Sequence, residues 1–572
     1  MNRAYKYRIL FAVLAGVFLP PETLVNWALP AMYREYAPGY IHGIWLLKAF
    51  LVVGGLLLWI HARRNHEFWR SGVPTGMPPT AFARWEYVLL GLVILGSVAL
   101  RLPGLDGSLT FDEVFLVRAL ITQNPIKMFF HPSGSAHLLH TLLANGVMRV
   151  MDVTPWAARL PAFLLGALTP LILYLAIRRI LSRPVAVIAA LILALTPVHV
   201  WYSQEAKGNS PLMFGVVLSW WFLSRLAARW NSRDAAGYLV ALLVVGLSHL
   251  SGMMFVGVVG LALLIVPRRM HGWLGDTALV GKMIYIHLVA LWLILLVYAP
   301  IMPFLVERGG TGYLTEGAPR FVVLGREMLG QFTALDQAWP WLVAPALLLF
   351  AGAISMCGAN AGLFLLLTLP LAIDLIITVT FKLFSFPRYH MYFLPVVAVL
   401  MATGITGLWA RACHIGTAFA RLAAAIVIAI LVHAALAGYG LAIHHYYGWP
   451  KSNYAATARL IAARPDSDPV YVVGHGRKGY PASGLVFYTN RFETDDTIGP
   501  VLSKTDSKKM LTVVVLDPLH AQVSYPDLLR HLKAHASSMT IWPCHGELDQ
   551  YRVRSSLVFE IPAGVLGAQL NR

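Results

Sequence analysis

Charge is what this sequence has least of. Only 13% of its 572 residues are Asp, Glu, Lys or Arg, about half the ~25% usual in soluble domains. That scarcity excludes an ordinary soluble enzyme, and a hydrophobic content of 58% excludes disorder. Acidic residues are the scarcer sign: 27 Asp and Glu face 45 Lys and Arg, a formal net charge of +18. Cysteine is almost missing. Cys357, Cys413 and Cys544 have no CxxC or zinc-finger spacing, so neither a disulfide framework nor a zinc module is implied. No asparagine lies in an Asn-x-Ser/Thr sequon, which favours a bacterial origin. The N-terminal stretch lacks an Ala-x-Ala-like cleavage site, so no cleavable signal peptide is expected and the membrane spans do the targeting. Internal repeats and low-complexity segments are lacking as well.

What is there is apolar length. The mean hydropathy is +0.65, and the expected class is a polytopic α-helical membrane protein. Stretches near the ~20 residues needed to cross a bilayer occur about thirteen times: 8–30, 41–61, 85–102, 156–177, 184–201, 210–228, 235–249, 251–267, 284–304, 339–356, 361–380, 389–410 and 422–443. The first is interrupted by Pro20-Pro21-Glu22, and the seventh and eighth could form one tight hairpin. With the N-terminus in the cytoplasm, the cytoplasmic loops collect Arg63, Arg64, Arg70, Arg84, Arg178, Arg179, Arg183, Arg225, Arg229, Arg233, Arg268, Arg269, Lys282, Arg411 and Arg421. That asymmetry follows the positive-inside rule and accounts for the basic balance without nucleic acid as a partner.

Three regions then fall outside the cytoplasm: loop one at 103–155, loop two at 305–338, and a polar tail after the last span. The tail, 446–572, carries β-type runs at Val470–Gly474, Leu485–Thr489 and Leu511–Leu516, a helical pattern at Pro526–Ala534 and late strands near Tyr551–Phe559. It reads as a small α/β domain. The expected division is an extra N-terminal transmembrane hairpin at 1–84, a transmembrane core at 85–445 that includes loop one, and the external domain.

Loop one holds the first chemical signal. Amphipathic patterns at 112–123 and 136–151 suit two helices on a membrane surface. Phe111-Asp112-Glu113 opens the first. Asp112 there suits a helix cap or first-turn acid. The pair also suits a general base at the membrane boundary or a ligand to a divalent cation, the one cofactor the sequence suggests. Neighbouring helix residues point about 100° apart, so one of the two faces a given site. His131, His137 and His140 open the second helix, with His137 and His140 on one face. Metal ligation, substrate contact and interfacial packing are all open to them.

Further along come Trp156-Ala157-Ala158-Arg159-Leu160-Pro161, then Ala194-Leu195-Thr196-Pro197-Val198-His199-Val200-Trp201-Tyr202-Ser203-Gln204-Glu205-Ala206-Lys207, then Phe386-Pro387-Arg388-Tyr389-His390. This order resembles the polyprenyl-phosphate-sugar-dependent glycosyltransferases of the GT-C fold, on the branch of bacterial aminoarabinose transferases and protein O-mannosyltransferases. The resemblance spans 85–445. It implies an inverting enzyme of the bacterial inner membrane, moving a sugar from a polyprenyl-phosphate donor to a lipid, glycan or protein acceptor on the periplasmic face. It implies Asp112 as base with Glu113 beside it, and Lys207 and Arg388 as donor phosphate contacts. Both cations also suit snorkelling at span ends. Gln204, Glu205, His249 and Tyr389 join His131 and His137 as candidates for the substrate pocket. Asp374, inside a span, reads as a hydrogen-bond partner within the helix bundle or as a functional acid. Two other functions stay open: a flippase or transporter for lipid-linked glycans, and a ligase or polymerase using a pyrophosphate-linked oligosaccharide.

Overall fold

The computed structural model describes residues 20–22, 37–64, 82–130, 137–266, 277–305, 339–380, 387–448, 451–464, 470–473, 485, 488–489, 491–494, 510–516, 526–544, 554–563 and 565–566. Most of the first expected span, His131 and loop two beyond residue 305 lie outside them. The chain divides into two compact units. One holds 1–102, 123–149 and 159–439; the other holds 103–122, 150–158 and 440–572.

The first unit is helical. Its elements are α1 (Ala37–Arg64), α2 (Arg84–Arg101), α4 (Pro125–Phe129), α5 (Leu138–Met148), α6 (Pro155–Ile180, whose first turn falls in the other unit), α7 (Arg183–Leu195), α8 (Pro197–Tyr202), α9 (Asn209–Ala228), α10 (Ser232–Ser248), α11 (Leu250–Ile265), α12 (Thr277–Tyr298), α13 (Trp339–Thr380), α14 (Leu394–Ile415) and α15 (Ala418–Gly448, whose end passes into the other unit). Among the described residues seven stretches are long and apolar enough to cross a membrane: 38–57, 155–180, 209–228, 278–305, 343–378, 388–415 and 418–444. The expectation of about thirteen exceeds this for three reasons. Most of the first expected span lies outside the described residues. Helices α2, α7, α10 and α11, with 18, 13, 17 and 16 residues, fall short of ~20. The tenth and eleventh expected spans run together as α13, which bends at Asn360 (φ −156°, ψ 81°).

Close helix pairing needs small residues, since lipid tails supply no hydrophobic drive between helices. Helices α13 and α14 meet this way: a Cβ on Gly352 would overlap the Leu400 carbonyl oxygen, and one on Gly404 the Leu348 carbonyl oxygen.

The second unit joins loop-one residues to the tail. Helix α3 (Phe111–Leu116) runs on into a π-helical turn at Val117–Ile121. The tail contributes α16 (Tyr454–Ala462), β1 (Val470–Val472), β2 (Met510–Val515), α17 (Pro526–His535), β3 (Ser538–Cys544) and β4 (Arg554–Pro562). The sheet order is β1-β2-β4-β3, with β1 and β2 parallel and the other pairs antiparallel. Alternating side chains of β2 send Leu511, Val513 and Val515 into a core with Leu528, Leu529 and Leu532 of α17, and Val514 into one with Tyr454 and Ile461 of α16. Phe111 packs against the α16 side.

Candidate functional site

Helix α8 ends at Tyr202, and the run Ser203–Lys207 follows it as a buried turn. Polar residues at such depth require partners, and Arg101, the last residue of α2, supplies several. Its guanidinium donates to the Ser203 hydroxyl (3.1 Å), the Ser97 hydroxyl (2.9 Å) and the Ala194 carbonyl (3.3 Å), and lies 2.6 Å from His199 Nδ1. Its carbonyl accepts from Gln204 Nε2 at 2.7 Å. Gln204 is thus tied to the end of α2. Glu205 accepts from Trp201 Nε1 at 2.6 Å, and its other oxygen lies 3.5 Å from Lys207 Nζ. A Cβ on Gly208, the next residue, would overlap the Ser248 carbonyl oxygen and stand 3.0 Å from His137 Nδ1. Only glycine permits this approach.

His137 caps α5 from a left-handed backbone (φ 44°, ψ 54°), the one non-glycine positive φ among the described residues. Because it stands outside the helix, the shared helical face expected with His140 does not form. Its Nδ1 donates to the Ser248 carbonyl at 3.3 Å. Burial holds its imidazole well below the usual value, and the charges of His249 and Lys207 act in the same direction. His249 caps α11: its Nδ1 accepts from the Ser251 amide at 3.1 Å, which puts the proton of the neutral ring on Nε2.

The rings of His137 and His249 lie 5.1 Å apart, and those of His249 and Tyr389 also 5.1 Å. The Arg388 guanidinium lies 5.7 Å from the Tyr389 ring centroid. The charges of Arg388 and Lys207 both bear on His249 and on Tyr202. So the first unit brings together Gln204, Glu205, Lys207, His137, His249, Arg388 and Tyr389, from four separate stretches of sequence. Two neutral imidazoles, a phenol and two cations form one cluster.

The turn carrying Arg388 and Tyr389 is a 3-10 helix, Pro387–Phe393. Asp374 of α13 anchors it, accepting from His390 Nδ1 at 2.6 Å and from the Tyr392 hydroxyl. The bundle hydrogen-bond reading of Asp374 is the one this geometry matches. An apolar pocket in the same unit is lined by Trp220, Leu223, Phe255, Leu363, Tyr392 and Phe393 among others.

Asp112 and Glu113 lie in the second unit. Thr110 is the N-cap of α3, and Glu113 Oε2 accepts from the Thr110 amide at 2.8 Å, closing a capping box. Glu113 is buried by this, whereas Asp112 is half-buried. The two acids thus divide their work. Among the described residues no three His, Cys, Asp or Glu converge as a metal-binding group. Sequence reasoning missed Arg101 and His390. Arg101 ends an apolar helix, where a basic residue reads as a snorkelling one. His390 follows the Pro-Arg-Tyr run directly, which was the available signal.

Residues 131–304 match the model of the family described as dolichyl-phosphate-mannose-protein mannosyltransferase. This supports a glycosyltransferase and meets the resemblance to GT-C fold transferases drawn from the sequence. The match takes in His137, Gln204, Glu205, Lys207 and His249 but neither Asp112 nor Arg388. No curated protein matches. Among solved structures, the chain is similar to ArnT from Cupriavidus metallidurans bound to undecaprenyl phosphate, at 14% identity over 85% of this chain and 99% of that one, TM-score 0.45. It is similar to AglB from Archaeoglobus fulgidus, an oligosaccharyltransferase in complex with an inhibitory peptide and a dolichol-phosphate, at 14% over 85% and 78%, TM-score 0.46. A third is the S. cerevisiae protein O-mannosyltransferase Pmt1-Pmt2 complex bound to the sugar donor, at 21% over 40% and 34%, TM-score 0.30.

Proposed function

We propose that this protein is an inverting membrane glycosyltransferase that takes a sugar from a polyprenyl-phosphate carrier, undecaprenyl-linked in a bacterium, and passes it to a lipid, glycan or protein acceptor on the periplasmic face. The observation that carries the reading is the cluster around His249, where Lys207 and Arg388 bring two cations to bear on a buried neutral imidazole flanked by the half-buried rings of His137 and Tyr389. A departing phosphate gains negative charge as the glycosidic bond breaks. Fixed cations in a poorly hydrated site stabilise that charge best, because no reorganisation is needed when it develops. Glu205, 3.5 Å from Lys207, helps to hold the ammonium where a leaving phosphate would meet it.

Asp112 takes the role of general base, removing the proton of the acceptor hydroxyl or amine as it attacks the anomeric carbon. Glu113 assists by fixing the helix start through its capping box. Gln204 and Tyr389 border the donor.

The test is consumption of lipid-linked donors by purified protein, with membrane extracts as the donor source and mass spectrometry as the readout. Loss of sugar from polyprenyl monophosphate by wild type and not by Asp112→Asn is the expected result. The His137–His249 pair favours one other reading, a ligase using a pyrophosphate-linked oligosaccharide. Consumption of pyrophosphate donors only, undiminished in Asp112→Asn, would establish that reading instead.

A further inference from the structure

The second unit contains a connection that the proposed reaction does not by itself require. The two residues before Thr110 are held by side chains and backbone of the tail. The Leu109 amide donates to the Tyr488 hydroxyl at 2.6 Å, and the Leu109 carbonyl accepts from the Ser452 hydroxyl at 2.7 Å. Ser108 Oγ lies 2.7 Å from Ser452 Oγ and accepts from the Ala455 amide at 3.2 Å. Both polar backbone groups of Leu109 are therefore satisfied by side chains more than 340 residues away. Phe111, on the other side of the cap, packs on the hydrophobic cluster of Tyr454, Val472, Leu485 and Phe492. The clamp is itself fastened to the sheet. Asn453 Nδ2 donates to the Trp542 carbonyl of β3 at 2.8 Å and to Ser556 Oγ of β4 at 3.1 Å. Hydrogen bonds from the sheet to Asn453, and from its covalent neighbour Ser452 to Leu109, thus connect the sheet to the residue before the cap of the helix bearing Asp112.

We infer that Ser452 and Tyr488 are positioning residues for Asp112: the C-terminal domain sets where the carboxylate of loop one stands. The inference rests on Asp112 being the base. A six-residue helix that continues only into one π-helical turn is not stable alone. The anchors of its flanking backbone therefore help to fix where Asp112 stands. A shift of about 1 Å in a reacting group can lower a rate about a hundredfold.

The experiment uses the full-length protein with Tyr488→Phe, Ser452→Ala, their combination, Ser452→Thr and Asp112→Asn. For each, kcat at saturating donor, donor KM and the thermal unfolding temperature are measured. The expected result for the combined variant is a fall in kcat of about ten- to a hundredfold, with donor KM and unfolding temperature unchanged. Ser452→Thr keeps the hydroxyl and should keep the rate. Three results overturn the inference: an unchanged kcat, a raised donor KM at constant kcat, or a rate loss that follows a lowered unfolding temperature and that Ser452→Thr fails to spare. Full turnover by Asp112→Asn would instead remove the base assignment on which the inference stands. An inactive Asp112→Asn beside a fully active Tyr488→Phe/Ser452→Ala protein would remove the positioning role alone.

Discussion

Lys207 and Asp374 are both buried, and their substitutions should fail in different ways. Glu205 lies 3.5 Å from Lys207, and the proposed reaction uses the ammonium charge at the leaving phosphate. Lys207→Gln should lower kcat about a hundredfold or more, as removal of one preorganised stabiliser does, while the protein still folds; single-turnover transfer assays measure this. Asp374 holds His390 and Tyr392. Asp374→Ala strands both groups, at a cost of about 1–3 kcal/mol for each buried polar group left without a partner. Thermal unfolding in detergent should show that loss directly. His137 adds a pH dependence. Its imidazole is held below its ordinary value in the fold. Below about pH 6.5 the unfolded chain therefore takes up a proton that the folded chain refuses. The stability His137 contributes is complete above that pH and declines as pH falls. His137→Gln should flatten the decline between about pH 6.5 and 5, read as unfolding temperature against pH.

At the scale of elements, close approach of backbones decides what the helices can tolerate. Gly208 starts α9 against the Ser248 carbonyl at the end of α10, beside His137. An added methyl would run first into the Ser248 backbone, which cannot swing aside as a side chain can. Gly208→Ala should therefore cost about 3 kcal/mol or more, at or above the usual range for overpacking, and should reduce activity with it; unfolding and transfer measurements on the same preparation test both. The element scale is also where the sequence was most legible. Apolar runs announced α6, α9, α12, α14 and α15, because a bilayer-length stretch leaves its mark in composition alone. In the tail, β1 and most of β2 fall in expected apolar runs and β4 near the expected late strands, whereas β3 had no such signal and the described residues of the Leu485–Thr489 run are not strand. The short helices α7 and α8 were not separable, since their break at Thr196-Pro197 looks locally like a kink within one span.

On the scale of the whole molecule, the division of the chain does not follow its linear order. Residues 103–122 and 150–158 join 440–572, while 123–149, between them, stay with the helical unit. Covalent neighbours in loop one thus belong to different units. Removing the tail after residue 448 should leave 103–122 without the partners of Ser108, Leu109 and Phe111, and limited proteolysis should then cut near Leu109, where the intact protein resists.

The sequence by itself determined the class of the molecule and the chemistry its candidates could perform. Low charge, apolar runs and basic loops are sums over many residues, and no single contact can reverse them. It also announced Asp112, Lys207 and Arg388, because ionisable groups stand out against an apolar background. Tertiary structure alone decided how these residues are held. Arg101 reaches the Ser203–Lys207 run across 102 positions of sequence, Asp374 anchors the Arg388 turn, and Tyr488 meets Leu109. Such pairings depend on which surfaces meet when helices and sheet pack. A hydrogen bond between residues far apart leaves no periodicity in the chain, so only the folded molecule reveals it.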